Sequence, residues 1–366
     1  MRILYDGQIY AIQFAGGVNR YFANLISRLP EDYTPLLTTC QNREVNYPTH
    51  PNLKVFFYKR FGFRPGRLSY WLEKYYFRSV TNFGRYEVFH PTYYSLLTQQ
   101  NFDTVKRPIV VTVYDMIHEL FAKQTDPDGH QIEEKRQAVL AAQAIICISE
   151  NTKKDLLERY PALEDRVTVT YLATDMNVSL AYGTEAVPTR PYYLYVGSRY
   201  NYKNFDRILM ALAKAISIRP ELMLCVVGPA FNDEEKQLVA TLNLAHAIEH
   251  YNYADDRHLA KLYRCSLALV YPSLYEGFGI PPLEAMSCRT AVVASNCSSI
   301  PEVVGDAGIL FGPNSITDLA DILIDLSENP TKRDELIAKG EKRATMFSWE
   351  KTAAQTLAVY QAISNK

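Results

Sequence analysis

The chain has 366 residues, a formal net charge of -1, 48% hydrophobic residues and 22% charged residues. This length exceeds the size at which a single hydrophobic core stops growing, so two domains are expected. Proteins that bind DNA or RNA usually carry an excess of basic residues, and this chain has none. A nucleic-acid partner is therefore not expected.

Short apolar runs alternate with longer helical patterns along the whole chain, which is typical of parallel sheets covered by helices. A first series of runs is Arg2–Tyr5, Leu53–Phe57, Val88–Phe89, Ile109–Val113, Ala144–Ile148 and Val167–Val169. Residues 175–191 are irregular, with Gly183, Pro188 and Pro191, and predict a linker. A second series is Tyr192–Val196, Leu222–Val227, Leu267–Tyr271, Ala291–Ala294 and Gly308–Phe311. We therefore predict two doubly wound α/β domains, at residues 1–185 and 186–348.

The six cysteines show no C-x-x-C spacing and several lie in apolar runs, which predicts reduced thiols in a cytoplasmic protein. The amino terminus carries Asp6 where a signal peptide needs an apolar run. No window approaches the ~18 apolar residues of a membrane span. The sequence thus predicts neither a signal peptide nor a transmembrane helix.

Two segments follow predicted strands at the edge where parallel sheets bind ligands. The first is Gly197-Ser-Arg-Tyr-Asn-Tyr-Lys-Asn204, followed by a helical pattern. Gly197 permits a close backbone approach, the helix start presents free N–H groups, and Arg199 and Lys203 add two cations. The segment predicts a diphosphate site, with solvated surface charge as the alternative.

The second segment runs from Pro272 to Met286 and contains Glu276-Gly-Phe-Gly-Ile-Pro-Pro-Leu-Glu284. Proline is tolerated in a first helical turn, so a helix is predicted to begin near Pro281. Glu276 then lies at the mouth of that helix and Glu284 about one turn further in. A carboxylate that accepts two hydroxyl hydrogen bonds suits a ribose.

Together these two segments resemble the motifs of retaining glycosyltransferases of family four. Further matches are Gly16–Tyr21, His90–Tyr94, Ile148–Thr152 and Ser295–Gly308, so the resemblance covers nearly the whole chain. It implies the GT-B fold, in which two Rossmann-like domains face a central cleft. It also implies that a final helix, at about 349–366, packs back on the first domain.

The resemblance implies a site for a nucleotide sugar held mainly by the second domain. Arg199 and Lys203 would bind the diphosphate, Glu284 the ribose and Glu276 the transferred sugar. The implied donor-binding set is Gly16, Gly17, Gly197, Gly277, Phe278, Gly279, Leu283 and Glu284. For Gly16 and Gly17, a flexible turn without ligand contact is the alternative.

The first domain departs from the family pattern after the run that ends at Val113. Family members usually carry a His-Asp pair there, whereas this chain has Tyr114-Asp115, followed by His118. The polar contact to the sugar therefore stays open among Asp115, His118 and His90. The predicted catalytic set is Glu276, Arg199, Lys203, Asp115 and His118.

The predicted chemistry is transfer of a hexose from a nucleotide sugar to a glycan or lipid-linked acceptor, with UDP-hexose favoured and GDP-hexose next. Two cations and helix-terminal amides offset the charge of the leaving diphosphate, so neither a metal nor another cofactor is expected. The acidic triplet at residues 126–128 is interpreted as a surface turn.

Two other functions compete with sugar transfer. A dinucleotide-dependent dehydrogenase would need a small residue where Pro282 stands and an acidic residue about 20 positions further on, and neither condition is met. A non-catalytic sugar-nucleotide-binding protein of the same fold stays an alternative, because its phosphate and ribose contacts would be the same.

Residues 54–78 are a local exception to the neutral balance. Seven Lys or Arg residues face a single Glu, a net +6, and ten aromatic residues are interleaved with them. This combination suits the interface of an anionic membrane, so we hypothesise peripheral docking on the inner face of the cell membrane, near a lipid-linked acceptor. A solvated cationic face over an aromatic core is the alternative.

Overall fold

The computed structural model describes residues 1–13, 16–40, 46–60 and 66–364, without the side chains of residues 66–68. It forms two compact units, residues 1–172 with 349–366, and residues 173–348. The second unit therefore begins before the predicted boundary at 185. The physical reason is a short 3-10 helix, Val178–Tyr182, which packs against a helix of the second unit, Asp256–Cys265.

The first unit is a parallel sheet with helices in most of the connections between its strands. Its strands are β1 (Arg2–Asp6), β2 (Thr34–Thr39), β3 (Lys54–Phe57), β4 (Val88–Phe89), β5 (Val110–Val113), β6 (Ala144–Cys147) and β7 (Val167–Val169). Its helices are α1 (Gln8–Ile12), α2 (Gly17–Ser27), α3 (Gly66–Phe83), α4 (Ile117–Leu120), α5 (Ala122–Thr125), α6 (His130–Ala141) and α7 (Glu150–Arg159). The strand order is β3-β2-β1-β4 and then β5-β6-β7, and a parallel bridge between Phe89 and Ile109 joins the two parts.

The second unit is a six-stranded parallel sheet in the order β10-β9-β8-β11-β12-β13. Its strands are β8 (Tyr192–Val196), β9 (Met223–Val227), β10 (Ile248–Tyr251), β11 (Ala268–Tyr271), β12 (Val292–Ser295) and β13 (Ile309–Phe311). Its helices are α8 (Phe205–Ile218), α9 (Asp233–Thr241), α10 (Asp256–Cys265), α11 (Ile280–Ser287), α12 (Ile300–Val304), α13 (Ile316–Glu328) and α14 (Pro330–Ala344). The order reverses between β8 and β11, so the loops after these strands lie at a topological switch point.

Strands β2 and β10 were not predicted, for physical reasons that differ. Strand β2 is central, between β1 and β3, but its sequence Thr-Pro-Leu-Leu-Thr-Thr is rich in polar residues and carries Pro35. Strand β10, Ile-Glu-His-Tyr, lies at the sheet edge and is half-buried throughout, so it needs no apolar run. Four cysteines are buried as expected, Cys297 is half-buried, and Cys265 is exposed rather than in the core; all six are free thiols.

The last helix, α15 (Trp349–Ser364), belongs to the first unit. Its Tyr360 is fully buried, and the hydroxyl lies 2.6 Å from Nδ1 of His90 and 3.2 Å from the hydroxyl of Tyr5. Thr352 of the same helix donates to the carbonyl of Tyr171 at 2.7 Å. These buried polar contacts fix the returning helix on the sheet of the first unit.

Candidate functional site

An ion pair joins the two segments that the sequence singled out in the second unit. Nζ of Lys203 donates to both carboxylate oxygens of Glu276, each at 2.8 Å. The two side chains are 16% and 9% exposed. Burial raises the pKa of Tyr271, the last residue of β11, well above its ordinary value, and the nearby charge of Glu276 adds to the shift. The cation and the carboxylate are therefore held together at the carboxyl ends of β8 and β11.

Asn204 explains why these loops meet. It adopts a left-handed conformation, with φ of 58°, at the residue that precedes α8. Its side-chain amide donates to the carbonyls of Pro272, at 3.1 Å, and Pro313, at 2.8 Å. The backbone N–H of Leu274 donates to the carbonyl of Tyr202 at 2.7 Å. These bonds tie the loop after β8 to the loops after β11 and β13.

Two serines form hydrogen bonds with the backbone of the loop from Glu276 to Gly279. Ser299, fully buried, donates to the carbonyls of Glu276 and Phe278, each at 2.8 Å. The hydroxyl of Ser298 donates to the carbonyl of Glu276 and accepts from its N–H. Sequence reasoning assigned these serines no role, and the only signal was their position in the matching segment Ser295–Gly308. Gly279, with φ of 119°, allows the turn into α11, which begins at Ile280.

Glu284 lies in α11 and is 7% exposed. It accepts a hydrogen bond of 3.0 Å from the hydroxyl of Tyr263, in α10, a partner that the sequence did not reveal. Two of the predicted donor contacts, Phe278 and Leu283, have buried side chains. A ligand contact at these two residues would therefore come from the backbone.

Arg199 is held apart from the Lys203–Glu276 pair by partners of its own. Its side chain is 3% exposed, and its Nε donates to Glu235 at 2.8 Å. Its guanidinium also lies over the ring of Phe231, at 4.5 Å. Gly228 lies next to the guanidinium of Arg199 and has φ of 156°. A Cβ at Gly228 would lie 2.3 Å from the carbonyl oxygen of Gly197. Arg199 and Lys203 are therefore paired with different carboxylates, and Nη1 of Arg199 is buried without a hydrogen-bond partner among the described residues.

In the first unit, Tyr114 and the candidate His90 point into the core. Tyr114, in place of the family histidine, donates its hydroxyl to the carbonyl of Thr92 at 3.1 Å. His90 is fully buried, and its Nε2 lies 2.9 Å from the hydroxyl of Thr112. Burial lowers the pKa of His90 to about 3. Both ring nitrogens of His90 are therefore occupied inside the protein, with Tyr360 on the other side.

Asp115 keeps 29% of its side chain exposed and is fixed by a buried lysine that the sequence did not indicate. Lys135, in α6, is 1% exposed and donates to the carbonyl of Asp115 at 2.9 Å and to Oε2 of Glu119 at 2.8 Å. Its Nζ also lies 5.2 Å from the ring centre of Tyr94. Within the described residues, Nδ1 of His118 is buried without a hydrogen-bond partner. Of the three alternatives, Asp115 and His118 remain available for a ligand.

Two other predicted features are described by the structure. Gly16 precedes α2, and Gly17 is its first residue, so both lie at the start of a helix. In the acidic triplet, Pro127 and Asp128 form an exposed turn as predicted. Asp126 is buried, because its carboxylate accepts from the N–H of Ile132, at 2.8 Å, at the start of α6.

The basic segment 54–78 uses some of its cations internally. Arg60 forms two hydrogen bonds with the buried Glu73, at 2.7 and 2.9 Å, and Arg78 donates to the carbonyl of Thr98. Tyr70, Trp71 and Tyr75 are exposed. Phe61, Phe63 and Arg64 lie outside the described residues, as does the side chain of Arg67.

Two family models match the chain, one in each half. "Glycosyltransferase Family 4" matches residues 15–178, and "Glycosyl transferases group 1" matches residues 183–343. Among curated relatives, O-antigen chain mannosyltransferase B of Escherichia coli is 32% identical over 61% of this chain and 61% of its own length. The α-maltose-1-phosphate synthase of Mycolicibacterium smegmatis is 31% identical over 69% of this chain and 74% of its own. An MMP α-(1→4)-mannosyltransferase of Mycolicibacterium hassiacum is matched over 40% of its length.

Solved structures agree on the fold. Sucrose-phosphate synthase from Thermosynechococcus elongatus superposes with a TM-score of 0.77 at 20% identity, covering 99% of this chain and 98% of that one. Anabaena HepE, solved in complex with UDP and glucose, gives a TM-score of 0.73 at 18% identity, covering 99% of this chain and all of that one. The chain therefore belongs to glycosyltransferase family 4 and has the GT-B fold.

Proposed function

We propose that the protein is a retaining glycosyltransferase that moves a hexose from a nucleoside diphosphate sugar to a glycan or lipid-linked acceptor in polysaccharide synthesis. The observation that carries the proposal is the Lys203–Glu276 pair at the switch point of the second sheet. Family membership and the curated relatives, several of which are named as mannosyltransferases, support it. These names favour mannose as the transferred hexose.

The charged groups of the site act on different parts of the donor. Breaking the bond between the anomeric carbon and the phosphate oxygen leaves negative charge on the diphosphate and positive character on the sugar. Lys203 has three N–H donors, so it is able to bind Glu276 and a phosphate oxygen together. Glu276 then accepts from sugar hydroxyls and Glu284 from the ribose. Lys203 and the amides at the start of α8 stabilise the leaving group, and no metal is assigned to the step.

We assign Arg199 a supporting position rather than a diphosphate contact. Its side chain is 3% exposed and already paired with Glu235. Its replacement would loosen the loop after β8 without removing a charge from the donor. In the first unit, Asp115 and His118 are assigned the polar contacts to the transferred sugar.

The test begins with calorimetric titration of the protein with UDP-glucose, GDP-mannose and ADP-glucose, which also decides the base. The preferred donor is then incubated with a mannoside acceptor, with and without EDTA, and the anomer of the product is read by NMR. We expect an α-linked product from an α-linked donor and an unchanged rate with EDTA. Donor binding without transfer or hydrolysis would instead support the non-catalytic alternative.

Glu276→Ala is expected to abolish transfer while the unfolding temperature stays close to that of the wild type. Arg199→Gln is expected to change the donor Kd about twofold or less, since the removed charge does not touch the donor. Turnover at the wild-type rate in Glu276→Ala would contradict the assignment. A loss of donor binding in folded Arg199→Gln would restore Arg199 to the diphosphate site.

A cytoplasmic location with contact to an anionic membrane is part of the proposal, because a lipid-linked acceptor has to be reached at its surface. Support comes from Trp71 and Tyr75, which are about half exposed, and from the net charge of residues 54–78. None of the helices in the described residues is long and apolar enough to cross a membrane. Trp71→Ser is expected to reduce flotation with anionic liposomes, and unchanged flotation would contradict membrane contact.

A further inference from the structure

Tyr263 differs from other deeply buried tyrosines of the second unit in the partner of its hydroxyl. Three of those tyrosines donate to backbone carbonyls: Tyr192 to Leu262, Tyr193 to Leu323 and Tyr195 to Ser198. A buried tyrosine hydroxyl needs a partner, and a carbonyl is sufficient. Tyr263, fully buried near the end of α10, instead donates to Oε2 of Glu284 at 3.0 Å. Its partner is therefore the carboxylate that the proposed function assigns to the ribose.

Glu284 is a charged residue on an apolar stretch of α11. Leu283 and Ala285 beside it are at most 1% exposed, and Glu284 itself is 7% exposed. One turn further on, burial raises the pKa of the Cys288 thiol to about 12, and the charge of Glu284 adds to this shift. A carboxylate in such surroundings has to be stabilised by hydrogen-bond donors. Because Tyr263 supplies one from a different helix, the packing of α10 against α11 sets the orientation of the carboxylate.

The orientation of Glu284 matters for the recognition of a ribose. Glutamate has three rotatable side-chain bonds, and ordering them when a ligand binds costs conformational entropy. A hydrogen bond that is formed before the ligand arrives removes part of this cost. The two carboxylate oxygens also accept from two adjacent hydroxyls only when the carboxylate faces them. A fixed Glu284 therefore gains more from a 2′-hydroxyl than a rotating one does.

We infer that Tyr263 is a positioning residue that makes the donor site selective for ribonucleotides over 2′-deoxyribonucleotides. Its hydroxyl holds the Glu284 carboxylate toward the ribose, and Tyr263, being fully buried, does not touch the donor itself. The inference rests on the proposed function, which assigns Glu284 to the ribose. It adds the residue that fixes this contact and the class of donor that is rejected: nucleoside diphosphate sugars without a 2′-hydroxyl.

The experiment titrates the full chain by calorimetry with UDP, GDP and ADP, each against its 2′-deoxy form, and continues with the pair whose ribonucleotide binds most tightly. Wild-type protein is expected to prefer the ribonucleotide about tenfold or more, the value of one hydrogen bond to a charged group. Equal binding of the two forms would overturn the inference. Binding of none of the nucleotides would contradict the proposed function, and the inference with it.

Tyr263→Phe keeps the ring and removes the hydroxyl. We expect ribonucleotide binding to weaken about five- to tenfold and 2′-deoxynucleotide binding to change about twofold or less, so that most of the preference is lost. In transfer, KM for the donor should rise by the same factor while kcat stays within about twofold, since the ribose contact is equally present in the ground state and the transition state. An unchanged preference in folded Tyr263→Phe would overturn the inference.

The matched control is Tyr192→Phe, which removes a buried hydroxyl bonded to the carbonyl of Leu262, the residue before Tyr263. This variant loses a buried hydrogen bond to the same helix, but it leaves the bond to Glu284 intact and should keep the wild-type preference. A loss of preference as large as that in Tyr263→Phe would show a purely structural effect and overturn the inference.

Glu284→Ala separates the inference from the proposed function. It should abolish the preference for the ribonucleotide, and adding Tyr263→Phe should then weaken ribonucleotide binding no further, because the hydroxyl acts through the carboxylate. A preference that survives Glu284→Ala would overturn the proposed ribose contact itself. Loss of the preference in Glu284→Ala together with its retention in Tyr263→Phe would overturn the inference alone.

Discussion

The two units hold their key lysines in opposite ways. Lys203 of the second unit is 16% exposed at the end of a loop, whereas Lys135 of the first unit is 1% exposed on a helix. A partly open cation can exchange its carboxylate partner for a ligand, but a buried one is committed to its partners because separation leaves an unpaired charge in the interior. The difference indicates that Lys203 acts on substrate and that Lys135 positions Asp115.

The largest effect is expected at Lys135. Lys135→Met leaves Glu119, also 1% exposed, as an uncompensated buried carboxylate. We expect the free energy of unfolding of the first unit to fall by about 3–5 kcal/mol. Urea denaturation measures the change. The double variant Lys135→Met with Glu119→Leu should recover most of the loss, and a cost below about 1 kcal/mol in the single variant would remove the contrast with Lys203.

Lys203→Met should show the reverse pattern. We expect kcat/KM for transfer to fall about 100- to 1000-fold, since a preorganised group that stabilises the leaving diphosphate is lost. The free energy of unfolding should fall by only about 1–2 kcal/mol, because Glu276 keeps contact with solvent and with Tyr271. Lys332→Met, which breaks an exposed pair with Asp325, is the matched control and should change neither quantity.

The third prediction concerns His90, whose burial lowers its pKa to about 3. In the unfolded chain an ordinary histidine has a pKa of about 6.5, so between these values the unfolded state binds the extra proton and stability falls as the pH falls. From pH 6.5 to pH 5 the wild type should lose about 2 kcal/mol more than His90→Gln.

Asp6 has the opposite pH dependence, because burial raises its pKa to about 7. Its folded state binds the extra proton, so its contribution to stability grows as the pH falls below 7. Because Asp6 is present in both proteins, the difference between wild type and His90→Gln isolates the histidine. Parallel stability curves in urea at each pH would contradict the assignment.

The contrast between Lys203 and Lys135 also shows which site residues can be predicted from the sequence. Lys203 and Glu276 lie in short segments directly after apolar strands, so local pattern placed them, and the alternation of runs predicted a doubly wound sheet in the second unit. Lys135 is 20 residues from Asp115 on a polar helix, and nothing local distinguishes it from a solvated lysine. Its burial depends on how α4 and α6 pack, which is tertiary information.

The partners of Arg199 could not be predicted from the sequence either. Its position near the start of a helix predicts a phosphate contact, but gives no sign of its partner Glu235, 36 residues away, or of Phe231, which lies in another loop. Residue type and spacing cannot distinguish a cation that awaits a ligand from one that is already paired. Strand β2 was missed for a related reason, because neighbouring strands stabilise it in spite of its polar residues and Pro35.

The smallest effect is expected at Ser299, which separates support of the donor loop from contact with the donor. Ser299→Ala leaves the buried carbonyls of Glu276 and Phe278 without this donor, at a cost of about 1–2 kcal/mol. The donor Kd should rise only a fewfold, since every ligand contact of the loop is still present. Ser327→Ala removes a serine bonded to a helix carbonyl, Ile324, and should leave the donor Kd unchanged. If Ser299→Ala abolished donor binding as fully as Lys203→Met, the loop itself rather than the charge of Lys203 would dominate recognition.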